Sequence, residues 1–290
     1  MSTVWIRRLT LPALLVLGLA GWSGYWVYAQ ARVEKEIERG VERLQARGGD
    51  FACEDRQWQG FPLRIALICG RTKLDVPGGP TVETERLEAV GHLHDPRRIV
   101  ALSERLVVEG APNWSIGGRK IAVAADMASS DRLQFSASGE DLTFADGLMP
   151  AVALDALEVE GSIDGLPRTR SSDLRALLKE AARLGTRVTI DAFTAQMADI
   201  RVTASGTVEL GPEGPTGTLL TTVTNYKSFL ADLERRGAVS KKAVRASSLM
   251  IGLLQGSGSK ADGEVTVALR FHEGQVFWGP FAVAEIPPLQ

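Results

Sequence analysis

Glu264-Val265-Thr266-Val267-Ala268-Leu269-Arg270-Phe271 decides the fold class. Val265, Val267, Leu269 and Phe271 fall on one side of an extended chain, and Glu264, Thr266, Ala268 and Arg270 on the other. That is the two-residue period of a half-buried strand. His272-Glu273-Gly274-Gln275 then turns the chain into Val276-Phe277-Trp278, which predicts a hairpin. Toward the N-terminus the alternation recurs at 219–224, 207–210, 200–204 and 187–194, with Gly211-Pro212-Glu213-Gly214-Pro215 as a turn. Further back, 157–163, 132–137, 120–124, 105–108 and 86–93 predict a meander of short strands.

Three helices interrupt this pattern. Leu174, Leu177, Leu178, Ala181 and Leu184 form one stripe, begun at Ser171 or Ser172 as N-cap and stopped by Gly185. Tyr226, Phe229, Leu230 and Leu233 form a second, ended by Gly237. Val244, Met250, Ile251, Leu253 and Leu254 form a third, running into Gly256-Ser257-Gly258-Ser259. A single apolar stripe suits a helix laid on a sheet.

Residues 9–29, from Leu9 to Ala29, carry no charged side chain, close to the ~20 that span a bilayer. Arg7 and Arg8 precede them and place the N-terminus in the cytoplasm, while Trp22, Tyr25, Trp26 and Tyr28 crowd the far, interfacial end. Ala29-Gln30-Ala31 offers the rival reading, a cleaved signal peptide. Beyond it, Val33, Ile37, Val41 and Leu44 recur at helical spacing among alternating charges. The expected fold is therefore α+β, a largely antiparallel sheet with amphipathic helices on one side, after an N-terminal transmembrane helix. The expected division is 1–8 cytoplasmic, 9–29 a signal anchor, 30–48 a membrane-proximal helix, 49–166 a first periplasmic β-rich part and 167–290 a second, α+β part. The localisation expected is the inner membrane, single-pass, with a periplasmic body.

The 290 residues are 44% hydrophobic and 23% charged, too apolar for disorder. A net charge of −2 excludes an electrostatic case for nucleic acid. Three His and two Cys exclude a Cys-rich zinc module. With Arg7 and Arg8 set aside the rest nets −4, so a bare anionic lipid surface is not expected to attract it.

Cys53, Trp58, Gly60-Phe61-Pro62-Leu63-Arg64 and Cys69 form a compact signature, joined by Gly24-Tyr25-Trp26 and the closing Gly274-Gln275-Val276-Phe277-Trp278-Gly279-Pro280 and Ile286-Pro287-Pro288-Leu289. Together they resemble the alphaproteobacterial envelope family catalogued as domain of unknown function 2125. The resemblance implies a single-span, periplasm-facing protein and no catalytic activity. In plan the chain is also similar to AsmA-type envelope proteins, a likeness of architecture that implies phospholipid held in a β-sheet groove.

Candidate sites are few. Cys53 and Cys69 flank a strand–turn–strand in an oxidising compartment, which predicts a structural bridge; a redox pair would be spaced C-x-x-C. The Gly60–Arg64 corner has two readings. In one, Trp58 and Phe61 pack on the core and Arg64 pairs with an acid. In the other, Trp58, Phe61 and Arg64 dock a headgroup or partner, Arg64 being the anion contact. His92 and His94 share a strand face without a third metal ligand, and an exposed edge explains them. Glu140-Asp141 and Glu158/Glu160 fit solvated strand edges, and no nucleophile elbow, phosphate loop or cofactor motif is present. The expectation is a non-enzymatic, membrane-tethered protein of the cell envelope holding lipid in an apolar groove. The alternative is a tethered module docking another envelope protein. A hydrolase would need a polar cleft gathering residues that the sequence leaves scattered.

Overall fold

A computed structural model of the chain describes residues 3–110, 113–145, 151–167, 174–235, 263–272, 274–279 and 281–286. The helix α1 (Thr3–Gln45) leads into β1 (Asp50–Glu54), β2 (Gln57–Gln59), β3 (Arg64–Asp75), β4 (Thr81–His92), β5 (Asp95–Gly110), β6 (Trp114–Met127), β7 (Arg132–Ala145) and β8 (Val152–Asp164). Then come α2 (Leu174–Leu184), β9 (Arg187–Met197), β10 (Ile200–Gly211), β11 (Gly214–Thr224), α3 (Tyr226–Arg235), β12 (Glu264–His272), β13 (Gln275–Trp278) and β14 (Phe281–Glu285). The described strands make one antiparallel sheet in sequence order from β3 to β14, with β1 and β2 both paired to β3. The strands on either side of the expected division at 166/167 belong to the same sheet, because β8 pairs β9 from Asp164↔Arg187 to Ala156↔Gln196. The third sequence-predicted helix, at 244–254, lies outside the described residues, as do Ser171, Ser172 and Gly237.

Register carries one apolar row across the sheet. From Ile65 it passes through Gly91, Ile99, Ala125, Phe135, Gly161 and Ile190, and on through Gly206 and Leu219 to Leu269 and Trp278. Neighbouring rows repeat the pattern, and between the hairpin ends no residue on this face from β3 to β13 is charged. The opposite face is mostly Thr, Ser, Glu and Arg, with Leu102 and Leu220 as scattered apolar exceptions.

The strands are longer than the sequence pattern predicted. In each of six neighbours the apolar face advances by three residues at one point, not two: Cys69 to Thr72, Leu87 to Thr84, Ser103 to Leu106, Ile121 to Gly118, Gly139 to Leu142 and Leu157 to Leu154. These steps are register neighbours and form a crease across β3 to β8. Charged doublets fill it, Glu85-Arg86, Glu104-Arg105, Arg119-Lys120 and Glu140-Asp141, all exposed. Two adjacent side chains can share the polar side only if the backbone is bulged, and Arg86, Lys120 and Asp141 adopt φ of 49°, 48° and 50°. The period of two breaks at each doublet, which is why 105–108 and 120–124 read as separate short strands. Glu140-Asp141 therefore belongs to the crease within β7, not to a strand edge.

At a second bulge, between Ala204 and Gly206, what read as two strands join as β10. Gly206 has φ of 145°, and a Cβ there would stand 2.3 Å from the carbonyl oxygen of Thr218. Gly206→Ala is expected to cost about 2 kcal/mol, read by denaturant unfolding.

Packed core gathers at the two ends of the sheet. α3 lies on the apolar face, where Tyr226 and Leu230 meet Ile200, Val223 and Val265, with Phe229 edge-on to Trp278. α2 lies against β10 with Ala181 and Ala182 buried, and ends at Gly185 with φ of 65°. Leu184, expected on the packed stripe, is 49% exposed because Ala182 occupies that side.

The helix α1 is continuous through residues 29–30, where the expected anchor passes into the membrane-proximal helix. Among the described residues no helix is long and apolar enough to cross a membrane. The side chains of residues 9–16, within the expected span, lie outside the described set. Half-buried Trp26, Gln30, Glu34, Ile37, Val41 and Leu44 form the stripe of α1 nearest the sheet. Val33, predicted there, is exposed, and Glu34 sits on the packed side because the Trp58 indole donates to its carboxylate at 3.3 Å and Arg56 pairs with it at 3.5 Å.

Candidate functional site

The middle of the apolar face has no partner layer among the described residues. Among the described residues fourteen hydrophobic ones are buried, and none of these comes from β5 to β8. On the apolar face of those strands Ile99 is 54% exposed, Val123 42% and Phe144 46%. Among the described residues, an uncharged apolar strip of Val, Ile, Leu, Phe, Ala and Gly thus lies between a core under α3 and a second at β3 and β4. Chemically it offers dispersion and desolvation with no hydrogen-bond donors to fix a polar ligand, which suits flexible hydrocarbon.

One end of the strip is built around a disulfide. Cys53 and Cys69 are bonded across β1 and β3 with Cα atoms 5.4 Å apart, as the sequence predicted. Cys69 is fully buried, and Ile65 and Leu67 share its face. Beside it the hydroxyls of Thr72 and Thr84 are buried without hydrogen-bond partners. Removing an unsatisfied hydroxyl relieves its desolvation, so Thr84→Val is expected to raise stability by about 1 kcal/mol in chemical denaturation.

The bridge encloses the Gly60–Arg64 corner, in which the Phe61–Pro62 peptide is cis. Phe61 is 52% exposed and Leu63 58%. The expected packing of Phe61 on the core is therefore corrected: its ring stands edge-on to Trp26 of α1, 5.7 Å between centroids. The indole N–H of Trp22 donates to the Pro62 carbonyl at 2.8 Å, and that of Trp26 to the Arg64 carbonyl at 3.0 Å. Arg64 has no ion-pair partner within 4 Å among the described residues, so the acid expected beside it is absent. Trp58 is half-buried, held by Glu34 and by the Arg56 guanidinium 5.4 Å from its ring centroid. The three predicted binding residues thus separate. Trp58 is a structural contact to α1, whereas Phe61 and Arg64 are presented outward. Trp22 and Trp26, read from sequence only as interfacial aromatics, are the clamp.

His92 and His94 sit at the β4–β5 hairpin with ring centroids 5.4 Å apart. No group of three His, Cys, Asp or Glu among the described residues is placed to hold a metal. The polar face has shallow clefts, one lined by Arg98, Asp126, Gln134, Glu160 and Asp191 and another by the crease charges Glu85, Glu104, Arg105, Arg119 and Asp141. The crease charges largely satisfy one another, with Arg86–Glu104 at 3.0 Å, Arg119–Asp141 at 3.4 Å and Lys120–Glu140 at 2.7 Å. Such exposed pairs contribute about 0–1 kcal/mol each. Lys73, on the same face, is held above the ordinary lysine value by the hydrogen bond it donates to Glu83 and then by the charge of Asp75.

The sequence matches a family described as an uncharacterized protein conserved in bacteria, DUF2125, over residues 26–165 and 106–287. No curated protein matches it.

Proposed function

The chain belongs to the DUF2125 family of bacterial proteins, and from its architecture we propose that it is a non-enzymatic envelope protein that holds phospholipid by its acyl chains. The observation that carries this reading is the uncharged apolar face of β5 to β8, which no other described element covers. An apolar patch this broad in water needs an occupant. Acyl chains match it, because they ask for apolar area and no directed hydrogen bond. In this reading α1 tethers the protein to the inner membrane. Leu17 and Leu19 are 67% and 58% exposed on α1, and Tyr25 and Tyr28 are 50% and 64% exposed one to three turns on. Such a surface finds its partner in lipid, with aromatic rings at the headgroup level. The disulfide favours an oxidising compartment, hence a periplasmic body.

The test is mass spectrometry of lipid retained by the full chain after extraction in mild detergent and exhaustive exchange. The reading expects about stoichiometric phospholipid. A folded chain without lipid sinks it, and turns the search to a protein partner for the same face.

A further inference from the structure

We propose that the Gly60–Arg64 corner and the β4–β5 hairpin together form a docking surface for an anionic phospholipid bilayer, at the end of the trough nearest α1. The inference deepens the lipid-holding reading and rests on it. The hairpin and corner are one surface, since the Leu93 amide donates to the Leu63 carbonyl at 3.1 Å and Arg64 pairs in register with His92. Phe61 and Leu63 project apolar groups from it. The Trp22 and Trp26 clamp fixes it beside the aromatic end of α1.

Charge selects the partner. Arg64, Arg97 and Arg98 are exposed here and, among the described residues, none forms an ion pair within 4 Å, although Arg98 stands opposite Asp126 in register and shares a cleft with Asp126, Glu160 and Asp191. Elsewhere on the polar face, most exposed arginines are paired: Arg71, Arg86, Arg105, Arg119, Arg132 and Arg187 each have an acidic neighbour. The net −4 of the chain beyond Arg8 therefore conceals an end where three arginines, Arg64, Arg97 and Arg98, outnumber two nearby acids, Asp95 and Asp126, with His92 and His94 beside them. Exposed Phe and Leu flanked by unpaired Arg fit the interface of a bilayer with phosphate-bearing anionic headgroups: rings and aliphatic groups enter the acyl boundary while guanidinium forks bind phosphate. The expectation that anionic lipid would not attract the chain came from net charge, whereas the proposal rests on the local distribution.

The test is hydrogen–deuterium exchange of the full chain in nanodiscs of phosphatidylcholine alone and of phosphatidylcholine with about 30% phosphatidylglycerol, which supplies the anionic headgroups. Amides of 92–98 and of Leu63 and Arg64 should exchange about fivefold more slowly in the anionic discs, the difference that one well-placed cation contributes. Arg97→Glu with Arg98→Glu should erase the difference, with exchange across β10 to β12 unchanged as the measure of folding. Equal exchange in both discs overturns the proposal. Slow exchange in detergent without bilayer makes a second copy the occupant and overturns it also. Retained phospholipid, measured separately, reports on the trough alone. Protection with an empty trough would remove the carrier reading, whereas a loaded trough with an unprotected hairpin would remove the docking surface.

Discussion

Val123→Asp should strip retained phospholipid from the chain by more than tenfold while leaving its unfolding midpoint almost unchanged. Val123 lies in the middle of the apolar face and is 42% exposed, so in the empty protein a carboxylate there reaches water. Against acyl chains it cannot, and an unpaired carboxylate in that setting costs several kcal/mol, where each 1.4 kcal/mol is a factor of about ten. Thr143→Asp, on the polar face of β7, is the control and should retain lipid. Lipid mass spectrometry and thermal melting of the same samples decide the matter. If this face were packed core, Val123→Asp would unfold the protein; if it were bare but idle, the substitution would change neither readout.

Loss of the disulfide is expected to be the largest stability effect. Cys53→Ala with Cys69→Ala opens a 17-residue loop whose closure is worth about 3 kcal/mol in the chain-entropy model. For a chain of this size the melting temperature should fall by about 6–12 °C in oxidising buffer. Reductant should lower the parent by a similar amount and leave the double variant unmoved. Because β2 and the corner lie within the loop, the amides of Leu63 and Arg64 should lose protection before those of β10 to β12. A double variant that melts with the parent would mean the bridge only follows a geometry set by β1 and β3 pairing.

What the sequence disclosed and what it concealed follow from the range of the forces involved. Alternation in 264–271, the helix stops at Gly185 and the Cys53–Cys69 bridge are local or nearly so, and all three stand in the structure. The phase of each strand across the crease was missed because a period of two breaks at Glu104-Arg105 and Arg119-Lys120. Their recurrence, each doublet followed at once by Leu or Ile, was the available signal. Whether Ile99, Val123 and Phe144 are core or trough was not legible, since alternation reports which way a side chain points and not what covers it. Coverage depends on where α2 and α3 come to rest, and they rest on the later strands. The corner misled for a similar reason. Phe61 and Trp58 are both aromatic and three residues apart, yet one meets α1 from outside and the other is bonded beneath it.

The in-sequence strand order makes capacity a matter of arithmetic. From β4 to β14 every strand pairs only with its neighbours in the chain, and the six strands of the crease take their three-residue step in step with one another. A further hairpin copied from β5 and β6 and inserted after β6 would present the same faces and the same offset to what precedes and follows it. Each such duplication would widen the structure by about 10 Å, at 4.7–4.9 Å per strand. The molecule is in this respect a modular gutter, extendable by gene duplication without redesign of either end.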